Sequence, residues 1–169
     1  MKIIQYLGEA RAMEDDMVRT LHAHAAVAAK GEYRRLLDRH LRETEQHRDR
    51  LDQRLDELGE GRRLLDAGVD ALQSVAGQLL SLYRLPAHAA RGQRGEDRIL
   101  SNARQGCAAE ALEIATYHAL EALARELGDT KTADLAQRIR ADEQRMLDDL
   151  QQLIPALTSD AVHAEPQTP

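Results

Sequence analysis

Two pairs of ionisable side chains stand at matched distances from two glycines. Glu14 lies 17 residues before Gly31 and His47 lies 16 after it, while Glu113 and Glu143 each lie 15 residues from Gly128. If each glycine turns the chain between antiparallel helices, the rise of about 1.5 Å per residue puts both pairs roughly 22 to 26 Å from their turns. All four groups then share one layer of a four-helix core. Carboxylates buried together repel and are costly to desolvate unless protons or a cation neutralise them. Oxygen and imidazole donors at one depth are the chemistry of a divalent metal site.

Further candidates surround this layer. Glu110 stands three residues before Glu113, Glu43 four before His47, and Asp142 next to Glu143. Taken singly, Glu43, Glu110 and Asp142 each read as flanking residues whose stems pack and whose heads reach water. His40 and Thr44 share a helical stripe with His47; His40 reads as a core or boundary histidine donating to a carbonyl, and His47 as the ligand. Tyr117, four residues after Glu113, reads as a core aromatic whose hydroxyl bonds a carboxylate. His22, His24, His88, His118 and His163 share no geometry and read as surface residues. No Gly-rich phosphate loop, cysteine pair or nucleophile-and-base triad is present in the sequence.

Helices must position these groups. Apolar residues at 3, 7, 10, 13, 17, 21 and 28 form one stripe, broken by Glu14, which predicts a helix over about 3–30 stopped by Gly31. A second carries Tyr33, Leu37, Leu51, Leu55 and Leu58 and closes at Gly59 and Gly61. Leu64 to Leu82 predicts a shorter helix, and Pro86, Gly92 and Gly95 mark a link. A third long helix over about 96–127 stops at Gly128, and Asp129 or Thr130 caps a fourth. Pro155 is expected to end the ordered part, giving a bundle over 1–155 and a disordered tail over 156–169. Short turns within each pair and some 35 residues between the pairs give an all-α, ferritin-like antiparallel four-helix bundle with a long crossover carrying an extra short helix. A long hairpin that dimerises into a bundle would show the same pattern.

Composition agrees with this and limits the partners. The 169 residues contain no Phe or Trp and only four Tyr, so Leu, Ala, Ile, Val and Met must build the core. The net charge of −6 is spread as mixed acids and bases along helix faces, which argues against a nucleic-acid partner. No apolar run approaches a membrane span and no secretory signal is evident. With a single cysteine, Cys107, the expectation is a cytoplasmic protein.

The stretches HLRETEQHRDRLDQRLDELG (40–59), AAEALEIATYHALEALARELGD (108–129) and ADEQRMLDDL (141–150) resemble the corresponding helices of the YciE/YciF-type ferritin-like stress proteins. The most specific piece is Glu-x-x-Glu-Ile-Ala-x-Tyr at 110–117, followed by Ala-Leu-Ala-x-x-Leu-Gly-Asp at 122–129. The layout is more distantly similar to rubrerythrins and bacterioferritins. The resemblance implies a homodimer, a stress association and an iron-type carboxylate site. Carried over by position, its metal ligands are Glu14, His47, Glu110, Glu113 and Glu143, with Glu43 as a further candidate. Two positions depart from the full di-iron pattern. Thr44 stands three before His47 where Glu-x-x-His would have Glu, and Met146 stands three after Glu143 where the second His belongs. One bridging carboxylate and one imidazole are thus expected to be missing, and the choice between a di-iron centre, a single divalent ion and a metal-free polar core stays open. Ferroxidase- or peroxidase-like activity is open with it. The rival class is a non-catalytic helical interaction protein.

Overall fold

A computed structural model describes residues 2–28, 31–59 and 95–164. They form four helices, α1 (Lys2–Val27), α2 (Glu32–Glu57), α3 (Gly95–Glu126) and α4 (Thr130–His163), with no strand among the described residues. The short helix expected over 64–82 and the link through Pro86 and Gly92 lie outside the described residues.

Local chemistry fixes the helix ends. Gly31 has extended backbone and opens α2. One turn into α2, Arg34 reaches back to donate 2.8 Å to the carbonyl of Ala25, an end group that α1 cannot itself satisfy. Gly128 adopts φ +72°, where a side chain would clash with its own backbone. Its N–H donates to Arg125 O and that of Asp129 to Ala124 O, closing α3. The Asp129 carboxylate then accepts from Thr132 N at 3.0 Å and caps α4. Arg54 of α2 donates to the same carboxylate at 2.9 Å and to Thr132 Oγ1 at 2.8 Å, pinning α2 to this corner.

α1 packs on α2 and α3, and α4 on α3 and α2, so α1 faces α4 and α2 faces α3 across the diagonals. All adjacent pairs are antiparallel. One apolar cluster joins Leu7, Leu51, Leu55, Leu120 and Ile139; the other, toward the opposite end, joins Leu21, Leu37, Ala103, Met146 and Leu150. Burying each such leucine contributes about 1.5–3 kcal/mol. Because α2 and α3 run the same way, α3 begins at the end of the bundle opposite to where α2 stops, which is the ferritin-like connectivity. The four helices close within one chain, so the dimerising-hairpin alternative does not hold.

The expected stop at Pro155 does not hold either. α4 continues through Pro155 to His163, and residues 156–163 are helical where a disordered tail was expected. Proline removes one N–H and crowds the preceding turn, yet the helix persists because Leu153, Ile154 and Leu157 still pack on the second apolar cluster. Thr158 Oγ1 also donates 2.8 Å to Ile154 O.

Candidate metal centre

Between the two apolar clusters lies a polar layer supplied by all four helices: Glu14 from α1, His40, Thr44 and His47 from α2, Glu110 and Glu113 from α3, and Glu143 from α4. Each is 0 or 1 % exposed. The common depth expected from the spacings about Gly31 and Gly128 is therefore observed, and all five sequence candidates meet there. Glu110, which singly reads as a flanking residue, is as buried as Glu113.

Two groups of potential donors form, each with its ligand atoms within 4.8 Å of one another: His40 with Glu110, Glu113 and Glu143, and His47 with Glu14 and Glu143. Glu143 belongs to both. Its Oε2 lies 3.5 Å from His40 Nε2 and its Oε1 lies 2.9 Å from His47 Nδ1, so its two oxygens face different imidazoles. His40 Nε2 is also 3.2 Å from Glu110 Oε1. The outer nitrogen of each ring faces a partly exposed acid: His47 Nε2 is 3.1 Å from Asp142 Oδ2, and His40 Nδ1 is 3.7 Å from Glu43 Oε2. An acid behind an imidazole fixes its tautomer and turns the other nitrogen toward the centre. Glu43 and Asp142 thus lie outside the layer, behind the histidines. Tyr117, fully buried, donates its hydroxyl to Glu14, as its position predicts.

His40 is the residue sequence reasoning misplaced. Its ring does not donate to a carbonyl; it faces Glu110 and Glu143. The signal that could have found it is its place two helical turns before His47 on the same stripe. Thr44 adds no donor, since its hydroxyl donates to His40 O at 2.9 Å. Met146 packs in the apolar cluster below. The second imidazole, expected to be absent because Met146 replaces it on α4, comes instead from α2. The layer then holds four carboxylates and two imidazoles, the donor count of ferritin-like di-metal sites.

The layer is electrostatically unsettled without a cation. Burial, followed by the neighbouring Glu143, Glu14 and Glu110, pushes Glu113 well above the usual carboxylate range. Burial raises Glu14 and raises Glu143 to about 7 despite His47. Burial alone would lower both histidines. Contacts with Glu14 and Glu143 outweigh it and lift His47 to about 10, and Glu110, Glu43 and Glu143 lift His40 well above 6.5. Nine of the eleven buried side-chain polar atoms without a hydrogen-bond partner among the described residues belong to these six side chains, including both oxygens of Glu113 and of Glu143. Such a concentration of orphaned donors and acceptors calls for an occupant, and the donor set fits divalent cations.

A protein family described as a domain of unknown function, DUF892, matches residues 3–163. No curated protein matches. Among solved structures, the chain is similar to a Xanthomonas campestris protein, with TM-score 0.70 and 22 % identity over 95 % of this chain and 94 % of that one. It is similar to YcfI, a putative structural protein from Rhodopseudomonas palustris, with TM-score 0.68 and 20 % identity over 88 % and 90 %. It is also similar to the E. coli stress protein YciF, with TM-score 0.67 and 19 % identity over 96 % of each chain. These likenesses show the fold and agree with the resemblance to YciE/YciF-type proteins. The family match runs from the first turn of α1 to the last residue of α4, and the chain belongs to the DUF892 family.

Proposed function

We propose that the polar layer holds two divalent cations, iron or a similar ion, and that the protein serves a stress response through them. The carrying observation is Glu143, whose two oxygens face the imidazoles of two separate donor groups as a bridging carboxylate would. The charge balances as well: four carboxylates with two neutral imidazoles carry −4, which two divalent cations cancel. His40 through Nε2 and His47 through Nδ1 would be the nitrogen donors, with Glu14, Glu110, Glu113 and Glu143 supplying oxygen. When bound, a redox-active pair of this kind supplies Lewis acidity and one-electron chemistry toward dioxygen or peroxide. The protein's own part is to exclude water, to hold Glu14 through Tyr117 and to orient His47 through Asp142. The family resemblance further suggests a homodimer, and the single cysteine, Cys107, fits a reducing, cytoplasmic setting.

The rival is a metal-free core neutralised by protons, favoured by the raised positions of Glu113, His40 and His47. Against it, no arginine among the described residues pairs with any of the six donors. Metal analysis after anaerobic Fe²⁺ loading and desalting decides between them. Wild type is expected to retain two ions per chain, and Glu113→Ala and Glu143→Ala to retain fewer. Equal metal in all three proteins would remove these ligands, and none in wild type would favour the rival.

A further inference from the structure

We propose that a cavity on the outer side of α2 and α4 binds a small, hydroxyl-bearing phosphomonoester, its phosphate group held between Arg50 and Arg138. The inference stands apart from the metal reading, because none of the six inner donors lines this cavity.

The cavity, of about 290 Å³, lies between the last turns of α2 and the opening turns of α4. Arg50, Arg54 and Glu57 line it from α2, and Lys131, Asp134 and Arg138 from α4. Four bases against two acids leave +2 here, in a chain whose net charge is −6. The local field therefore favours an anion.

The way these charges are committed sharpens the assignment. Arg54 is fixed: it donates to Asp129 at 2.9 Å and to Thr132 Oγ1 at 2.8 Å, and pairs with Glu57 at 2.7 Å. Lys131 shares Glu57 at 3.4 Å. Arg50 and Arg138 enter no ion pair among the described residues. They also stand level. α2 and α4 are antiparallel, with His47 opposite Asp142 and Arg54 opposite Thr132, and between those two crossings Arg50 falls at the height of Arg138. Two guanidinium groups thus flank one opening without a carboxylate of their own, a repulsive arrangement that a bridging anion relieves.

A phosphate ester carries about −2 at pH 7 and three terminal oxygens, which suits two planar donor forks that each bind oxygens in pairs. A carboxylate, with one charge and two oxygens, satisfies only one fork. Size and lining argue for a small ligand. The volume lies at the lower end of small-molecule sites. Glu57 and Asp134 would repel the next phosphate of a nucleic-acid strand, yet each can accept a hydrogen bond from a hydroxyl.

Titration calorimetry of the full-length protein with glycerol 3-phosphate, inorganic phosphate and a thymidine oligonucleotide tests this. Wild type is expected to bind glycerol 3-phosphate most tightly. Arg50→Gln/Arg138→Gln is expected to weaken it at least about 10-fold. Both arginines are exposed, so the fold and the bound metal should be unchanged, as circular dichroism and metal counting check. Asp134→Ala is expected to remove the preference over inorganic phosphate without weakening inorganic phosphate itself. No binding of glycerol 3-phosphate by wild type, or equal binding by the double variant, overturns the proposal. Tighter binding of the oligonucleotide, lost in the double variant, would make the cavity part of a nucleic-acid surface and overturn the small-ligand assignment. Equal binding of glycerol 3-phosphate and inorganic phosphate by wild type would overturn the hydroxyl contact.

Discussion

Replacing Glu113 by Gln separates the charge of the polar layer from its shape. Glu113 is 1 % exposed, both its oxygens lack partners, and Glu14, Glu110 and Glu143 surround it. In metal-free protein burial, and then these neighbours, push Glu113 toward its protonated form, which glutamine copies. Stability of the metal-free variant at pH 7 should stay within about 1 kcal/mol of wild type. Loading reverses the comparison. Cations at about 1,000 times Kd would stabilise the wild-type fold by about 4 kcal/mol, a rise in Tm of roughly 8–16 °C for a chain of this size. Glutamine removes one of four negative charges and an anionic donor lying in the His40 group. A loss of at least about 100-fold in affinity, about 2.7 kcal/mol, should cut the Tm rise to less than half. Thermal melts with and without Mn²⁺ at pH 6, 7.5 and 9, with bound metal counted, measure both arms. Full loading of the variant, or a metal-free variant several kcal/mol weaker than wild type at every pH, would refute the account of Glu113.

Four other outcomes follow from the same contacts. Glu143 is raised from 4.5 to about 7 and His47 from 6.5 to about 10, so the folded protein holds protons that the unfolded chain has released. Stability of metal-free protein should therefore fall as pH rises, first between 4.5 and 7 and then between 6.5 and 10, by several kcal/mol in all; melts flat across pH 5–9 would contradict these shifts. Because ligands must be deprotonated, Co²⁺ binding at pH 7.5 should release at least the His47 proton, which is held up to about 10, and fewer than one proton per chain in a lightly buffered dye assay would contradict the donor set. Tyr117→Phe leaves Glu14 without its donor and should cost about 1–3 kcal/mol in urea unfolding of the metal-free protein. Asp129→Ala removes both the α4 cap and the Arg54 anchor and should cost about 1–2 kcal/mol, with bound metal unchanged because this corner is remote from the polar layer.

The fold was legible because its periodicity is strong and its punctuation is chemical. Gly31, Gly59 and Gly128 mark helix ends, and residue spacing about Gly31 and Gly128 is enough to place Glu14, His47, Glu113 and Glu143 at one depth. Pro155 misled because a local rule about one N–H was weighed without the packing of Leu157, which the sequence shows only as another apolar residue. His40 misled for a different reason. Position on a stripe tells which way a side chain faces but not what stands opposite, and the groups opposite His40 come from α3 and α4, some 70 and 100 residues away in the chain. Long-range pairing of that kind is set by how the helices nest, and periodicity carries no record of it.

Moving an imidazole from α4 to α2 has a geometric consequence. Seven residues separate His40 from His47, about 10.5 Å along a helix axis, too far for both rings to serve one ion from the same height. They instead bracket the layer, His40 on the side of Glu110 and His47 on the side of Glu14, with their inner nitrogens converging on opposite oxygens of Glu143. On the proposed metal reading, that spacing would give two displaced subsites sharing one carboxylate, whereas a single-ion site would need only one of the histidines. The two donor groups are unequal. The His40 group has three carboxylates, and the His47 group has two, one of them held by Tyr117. The more anionic His40 group should fill first. His40→Ala should then abolish the tighter of two binding steps in Mn²⁺ titration calorimetry and His47→Ala the weaker; one step in wild type, lost equally in both variants, would defeat the two-subsite arrangement.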